Sequence, residues 1–329
     1  MKRNDFAGRK VLITGGLGFI GSNLAHALVK RKADVTLIDS MIPDFGGNEA
    51  NVEDIKHKVR ISYTDMRSFA LPYIIKNQDI IFNLAGQISH MDSMKDPVTD
   101  LEINAKSQLH LLESCRYHNP SVKIIYASTR QIYGKTKQKP PINEDHPIDP
   151  TDINGINKLS GELFHSLYHK VFGIKTVSLR LTNCYGPRQL IRHDRQGFIA
   201  WFINRTVLNK EIKLYGDGLQ IRDFTYIDDV VDAFLRVAVE SNADGQVYNL
   251  GGIRPYSLLE VAKILKRINP KLKISKIPFP RERKKIDIGN YVGDWSKIHK
   301  DIGWKPKIDL EMGLKKTLTY FRKNLSNYL

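Results

Sequence analysis

The sequence predicts an α/β fold: a doubly wound parallel sheet followed by a smaller C-terminal lobe. Three observations predict it. Short apolar runs alternate with amphipathic stretches through the first half of the 329 residues, the pattern of strands and helices in a parallel sheet. The first apolar run enters a glycine-rich turn that opens a helix. Beyond Tyr185 the elements shorten, and the loops carry Pro, Gly and basic residues. The expected division is 1–184 for the sheet domain, with contributions from later segments, and 185–329 for the lobe.

Strands are expected at Lys10–Thr14, Val35–Ile38, Val59–Tyr63, Ile80–Asn83, Lys123–Ala127 and Lys175–Arg180. Each is a short run of the kind buried on both faces. Helices are expected at Gly18–Arg31, Leu71–Lys76, Asp100–His118 and Asn154–Phe172. The alternation implies right-handed crossovers with helices on both sides of the sheet. Gly134–Pro150 carries four prolines and no apolar period, so it reads as a surface loop. In the lobe, Gln196–Leu208, Val230–Val239, Leu258–Ile268 and Leu310–Phe321 read as helices. Arg281–Lys285 (RERKK) comes after two prolines and reads as a loop.

Val11–Gly21 (VLITGGLGFIG) is the most informative stretch. A strand, a glycine turn and a helix start make a cradle for a pyrophosphate, because bare backbone N–H groups and the helix N-terminus meet the anion. Gly15, Gly18, Phe19, Ile20 and Gly21 form it. Asp39 ends the second strand about twenty residues on, where an acid accepts hydrogen bonds from a ribose hydroxyl. An acid there would repel a 2′-phosphate, which favours NAD over NADP. Ligands of open parallel sheets sit beyond the carboxyl ends of the strands. Asp65 and Met66 come after the third strand, within expected reach of adenine. Leu84, Ala85, Gly86 and Gln87 come after the fourth, and Thr129 lies at the end of the fifth.

Composition narrows the classes. The net charge is +16, which favours anionic partners, but the lysines are scattered as on a solvated surface. No aromatic-rich basic face is evident, which disfavours nucleic acid. Cys115 and Cys184 show no CxxC spacing and no metal-type cluster, so reduced thiols in a cytoplasmic protein and no metal are expected. The basic start precedes an apolar run too short and glycine-broken for a signal peptide, and no stretch is long and apolar enough to span a bilayer.

Taken in order, TGGLGFIG (Thr14–Gly21), Asp39, DMR (Asp65–Arg67), NLAGQ (Asn83–Gln87), STRQIYG (Ser128–Gly134), NKLSGE (Asn157–Glu162), LRLTNCYGPR (Leu179–Arg188), GDGLQIRDFTYIDD (Gly216–Asp229), YNLGG (Tyr248–Gly252) and GWKP (Gly303–Pro306) carry a resemblance. The chain resembles the extended short-chain dehydrogenase/reductase family, in its NAD-dependent nucleotide-sugar epimerase/dehydratase branch. The resemblance implies a Rossmann-type fold, NAD as cofactor, a nucleotide-sugar substrate and a homodimer. It implies that Thr129 is the catalytic hydroxyl and that Lys158 holds the nicotinamide ribose. Asn183 and Arg222 would meet the substrate diphosphate, with Arg281 or Arg283 as a second phosphate contact.

One position departs from that pattern. Four residues before Lys158 the family has tyrosine; this chain has Asn154. A carboxamide does not titrate near neutrality and only exchanges hydrogen bonds. Tyr133 is a candidate substitute, since Tyr133–Lys137 (YGKTK) is a literal Tyr-x-x-x-Lys, though Gly134 argues against a helix there. Asp152 reads as a helix cap and His146 as a surface-loop residue. Arg130 and Gln131 stand where the sugar 4,6-dehydratases carry an Asp-Glu pair, which disfavours elimination of water. The expected activity is epimerisation through a 4-keto sugar with an atypical proton carrier. The alternatives are a catalytically impaired NAD and nucleotide-sugar binder and, behind it, an RNA-binding relative. Leu101, Leu109, Leu112, Leu163 and Leu167 fall at helical spacing on the two helices that would pair in a dimer.

Overall fold

A computed structural model describes residues 5–195 and 197–329. Six strands form the body of one sheet: β1 (Lys10–Thr14), β2 (Asp34–Ile38), β3 (Val59–Ser62), β4 (Ile80–Asn83), β5 (Lys123–Thr129) and β6 (Lys175–Leu181). A seventh strand, Val247–Asn249, pairs with β6 at the edge. The order is Val247–Asn249, β6, β5, β4, β1, β2, β3, and every pairing is parallel. This is the Rossmann-type α/β arrangement expected from the sequence. Strand order reverses between β1 and β4, which opens a crevice at their carboxyl ends.

Strand residues alternate between two apolar layers. Val11, Ile13, Phe82 and Ile125 pack on the side of α1 (Phe19–Lys30) and α8 (Ile227–Val239). Leu12, Ile81 and Ile124 pack on the side that holds Leu111, Leu112 and Cys115 of α5 (Ser107–His118). Burial on both faces is why β1 and β4 read as near-continuous apolar runs. The strand ends are pinned by one hydroxyl. Thr14 Oγ1 donates to Asn83 Oδ1 and accepts from the N–H groups of Leu84 and Ala85, each at 3.0 Å.

Several elements differ from expectation, each for a local reason. β5 runs on to Thr129 because Ser128 and Thr129 continue the ladder against Arg180 and Leu181. The helix expected from Asp100 starts earlier, as α4 (Pro97–Leu101), where Asp96 caps it by accepting from Thr99 N–H at 3.1 Å. A π-helical turn, Glu102–Lys106, then joins α4 to α5. Such turns are frequent at functional sites. The segment Leu71–Lys76 is helical only over α2 (Leu71–Ile74). The long helix is α6 (Ile153–Phe172). Gln196 lies outside the described residues, and α7 spans Phe198–Val207. Arg281–Lys285 is not a loop: it forms α10 (Arg281–Ile286) directly after Pro280, since Arg, Glu and Lys favour helix. Leu112 faces the core, whereas Leu101, Leu109, Leu163 and Leu167 are exposed.

α6 is tied to the sheet by a buried charge cluster. Arg180 pairs with Glu162 at 2.7 Å, and Ser128 Oγ donates to the same carboxylate at 2.5 Å. Removing one partner of a buried pair strands the other charge and costs about 3–5 kcal/mol. Arg180→Met is therefore expected to destabilise the protein by roughly that amount in urea unfolding. Adding Glu162→Leu to it should recover a large part of the loss.

Candidate functional site

The carboxyl ends of the strands open into one cavity of about 490 Å³. Its cofactor side is built from the glycine turn. Gly15 adopts φ +66°, and a Cβ on Gly21 would lie 2.2 Å from Gly15 O. Gly18 opens α1 with no side chain over the helix N-terminus. Phe19 and Ile20 complete this wall. Asp39 accepts from Leu17 N–H at 3.1 Å and Met41 N–H at 3.0 Å, which leaves carboxylate lone pairs for further donors. Burial raises its pKa, against those two hydrogen bonds. Asp65 and Met66 line the same space, and Arg67 grips Asp65 through Nε and Nη2, holding its carboxyl below the usual range. Leu84, Ala85, Gly86 and Gln87 form the floor.

Thr129, Asn154 and Lys158 meet on the opposite wall. Lys158 is buried with its Nζ 4.5 Å from the centre of the Tyr126 ring, and burial lowers its pKa to about 8. No hydrogen-bond partner holds its ammonium among the described residues. The Asn154 amide nitrogen is held from several sides. Its Nδ2 donates to Gln87 O at 2.7 Å, lies 3.2 Å from Gln87 Oε1 and reaches Asp100 Oδ2 at 3.1 Å.

The far end is cationic. Arg130 is half-buried, donates from Nη2 to Asn183 Oδ1 at 3.2 Å and leaves Nη1 without a partner among the described residues. Arg222 pairs with Asp287 at 2.9 Å and also donates to Gly289 O. Burial, then the Arg130 charge, lowers its pKa to about 10. Arg283 lines the cavity and pairs with Asp194 at 2.6 Å. A buried and a half-buried guanidinium facing one cavity, one of them with an orphaned N–H, suit a diphosphate.

Two expected site residues lie elsewhere. The Tyr133 hydroxyl donates to Asn249 Oδ1 at 2.8 Å and accepts from Arg180 Nη1 at 2.6 Å. Its ring is buried in a separate apolar cluster, and burial pushes its pKa up to about 12. It forms part of a tight turn that ends at Gly134 with φ +59°, so the Tyr-x-x-x-Lys match is accidental. Arg281 is exposed on α10 and does not face the cavity. His146 is buried, not at the surface, with its ring edge-on to Tyr133. Asp152 is the cap of α6, accepting from Gly155 N–H at 2.7 Å. The sequence reading missed His90, at the start of α3 (His90–Lys95), which lines the cavity. The only signal for it was its place soon after a strand end. Among the described residues no group of three His, Cys, Asp or Glu is placed to hold a metal ion.

A reversed strand order, a glycine-cradled helix start and an acid at the end of β2 define a dinucleotide-binding protein. Residues 11–251 match the NAD dependent epimerase/dehydratase family, and the chain belongs to that family, within the extended short-chain dehydrogenase/reductases. It is 32% identical over 323 residues to a putative UDP-glucose 4-epimerase of Methanocaldococcus jannaschii, covering 95% of this chain and 99% of the relative. It is 30% identical to CDP-paratose 2-epimerase of Salmonella typhi, covering 93% and 97%. The structure of UDP-glucose 4-epimerase with UDP-glucose from Thermotoga maritima superposes with a TM-score of 0.88 at 31% identity, covering 96% and 99%. The family cofactor is NAD, and the residues fit it: bare glycines for the pyrophosphate, Asp39 for a ribose and the unpartnered Lys158 ammonium for the other.

Lys158 makes a pH prediction. Its folded pKa of about 8 lies below the unfolded value of about 10.4. The unfolded chain therefore binds more protons between those values, and this group's contribution to stability rises with pH across that window. Below pH 8 the cost of the buried charge is fully present. Lys158→Met should stabilise the protein by about 1–3 kcal/mol at pH 7 in urea unfolding. It should also weaken NAD retention about tenfold or more in equilibrium dialysis, the loss of a charged hydrogen bond.

Proposed function

We propose that the protein interconverts epimers of a nucleotide sugar through a 4-keto intermediate. The observation that carries this reading is the sharing of one cavity by Thr129 and Lys158 with the two arginines Arg130 and Arg222. Bound NAD would supply the hydride acceptor and donor for the reaction. Thr129 hydrogen-bonds the reacting hydroxyl, and Lys158 orients the cofactor ribose. Arg130, Arg222 and Asn183 hold the diphosphate, with Arg283 at its edge. The two residues after Thr129 disfavour elimination of water. Arg130 points to Asn183, and the Gln131 amide donates to Asp152 at 2.7 Å, so neither supplies an acid or a base. Relatives with 2-epimerase and 4-epimerase names support isomerisation. The two free thiols support a reducing, cytoplasmic setting.

The locked Asn154 amide favours a second reading, a protein that binds NAD and a sugar nucleotide without turnover. Incubation with a panel of UDP-, CDP- and dTDP-hexoses separates the two. The expected outcome is a new epimer by NMR, reduced about a hundredfold or more by Thr129→Ala. Bound NAD with no product across the panel would leave only the binding reading.

We also propose a homodimer. Leu163 and Leu167 on α6 are 55% and 50% exposed, and Ile156 and Val171 extend the same helical face. Leu101 and Leu109 add exposed apolar surface on the neighbouring helices. An apolar stripe of this kind marks a protein contact. Light scattering should give twice the chain mass of 37.6 kDa, and Leu163→Glu with Leu167→Glu should give monomer.

A further inference from the structure

Epimerisation through a ketone requires a group that takes the sugar hydroxyl proton, and Asn154 does not titrate. Resting on the epimerase reading, we propose that His90 is this proton carrier and that Asp152 positions it.

The geometry places His90 beside the site of the missing tyrosine. Ser93 Oγ donates to His90 O at 2.8 Å and accepts from Asn154 N–H at 3.3 Å, so one hydroxyl bridges the two residues. The His90 side chain is 36% exposed and lines the cavity, whereas Asp152 is sealed at 0%. His90 Nδ1 is buried and lies 3.0 Å from Asp152 Oδ2, without a well-aligned hydrogen bond. The accessible edge of the ring is therefore the one that bears Nε2. A carboxylate 3.0 Å from Nδ1 favours a proton on that nitrogen and supports the imidazolium formed when Nε2 takes a second.

Asp152 is itself anchored on both oxygens. Oδ1 accepts from Gly155 N–H and Oδ2 from Gln131 Nε2, each at 2.7 Å. Burial pushes its carboxyl up, but contact with His90 and these hydrogen bonds outweigh it, and the pKa falls below the usual range. Asp152 thus stays an anion behind the ring. Gln131, which is useless as an acid or base, acquires a task here: it holds the carboxylate that orients the histidine.

Other charges surround the ring. Asp92 lies on the same short helix and meets Arg195 at 3.3 Å. Asp100 of α4 is spent on Asn154 and Asn157. Lys158 of α6 and Arg130 share the cavity. Lys158, with a pKa near 8, is the rival carrier, and the test separates it.

The step balances. The carbon-bound hydrogen leaves with its electron pair to the oxidised nicotinamide ring, and the hydroxyl proton moves to His90 Nε2, which gives a ketone and an imidazolium. After the ketone turns, the hydride returns to its other face and the imidazolium returns the proton to oxygen. No other oxidant or co-reactant is consumed.

The experiment uses the full chain with NAD and whichever UDP-, CDP- or dTDP-hexose the wild type converts. His90→Gln should lower kcat about a hundredfold to ten-thousandfold, with KM within threefold and the acidic limb of the kcat–pH profile abolished. His90→Ala should regain rate with added imidazole. Asp152→Asn keeps the helix cap, since Asn caps as well as Asp, and should lower kcat about tenfold to a hundredfold while keeping a displaced acidic limb. Equilibrium dialysis of NAD and the thermal midpoint verify that each variant is folded. A readout independent of turnover is the ¹⁵N resonance of His90 Nε2. It should move when the nucleotide sugar joins the NAD form, and stay when the nucleoside diphosphate alone is added. If the wild type turns over a sugar and His90→Gln keeps its rate within threefold, or keeps the acidic limb, the assignment is overturned while the epimerase reading stands. If the wild type converts no sugar, that reading fails and the dyad falls with it.

Discussion

The seat of α1 on the end of β1 is set by missing side-chain atoms, and the cavity depends on it. A Cβ on Gly21 would stand 2.2 Å from Gly15 O and 2.9 Å from Gly16 Cα. Neither partner is a flexible side-chain tip, so no small adjustment would admit it. Gly15 repeats the demand toward the next strand, with Ala85 N 3.1 Å from where its Cβ would lie. Gly86 faces side-chain ends instead, Asn104 Oδ1 at 2.8 Å and Lys158 Nζ at an ordinary 3.5 Å from where its Cβ would lie. The two backbone approaches hold α1, β1 and the loop after β4 together at one end of the sheet. Backbone N–H groups, Lys158 and Thr129 share a single space there.

Asn154 belongs to the architecture of that space as much as to its chemistry. Gln87 O accepts from both Asn154 Nδ2 and Asn104 Nδ2, at 2.7 and 2.9 Å. Asp100 receives Asn154 on one oxygen and Asn157 on the other. Asn104 lies in the π-helical turn, so the wide turn delivers an amide to the loop after β4. A buried network of this kind is rigid when its members are satisfied and costly when they are not. A phenol in place of the carboxamide offers one hydroxyl where the network uses an amide that reaches two residues. The amide is therefore matched to its surroundings.

How much was legible in the sequence depends on the range of each interaction. The strands and α1 were legible because burial on two faces leaves apolar runs, and the glycine turn because backbone contact forbids side chains. The cofactor wall and Thr129 were legible as residues at strand ends, whereas Lys158, Asn183 and Arg222 came only through the resemblance to the family. α10 was missed because two prolines suggested a loop, whereas the residues after them favour helix. The start of α4 was missed because its cap, Asp96, precedes a proline that is tolerated in a first turn. Tyr133 misled because spacing alone does not reveal that a hydroxyl is already paired with Arg180 and Asn249. His90 was invisible for a different reason. Its partner Asp152 lies on another element far along the chain, and only the packing of α3 on α6 brings them together.

The charge balance of the cavity shows the same division between what is fixed locally and what is not. The chain carries a net +16, yet the arginines that face the cavity are mostly neutralised where they stand. Arg67 is held by Asp65, Arg222 by Asp287, Arg283 by Asp194 and Arg195 by Asp44 and Asp92. Each pair aims a guanidinium and limits its mutual repulsion with the next. Arg130 differs: its guanidinium meets a neutral amide and the face of Tyr291. Desolvation lowers its pKa, against the nearby charges of Asp223 and Asp287. An anion placed between Arg130 and Arg222 would supply what the protein withholds from that one arginine. The cavity's capacity for an anion is thus concentrated at one under-compensated arginine, whereas the surface lysines are scattered.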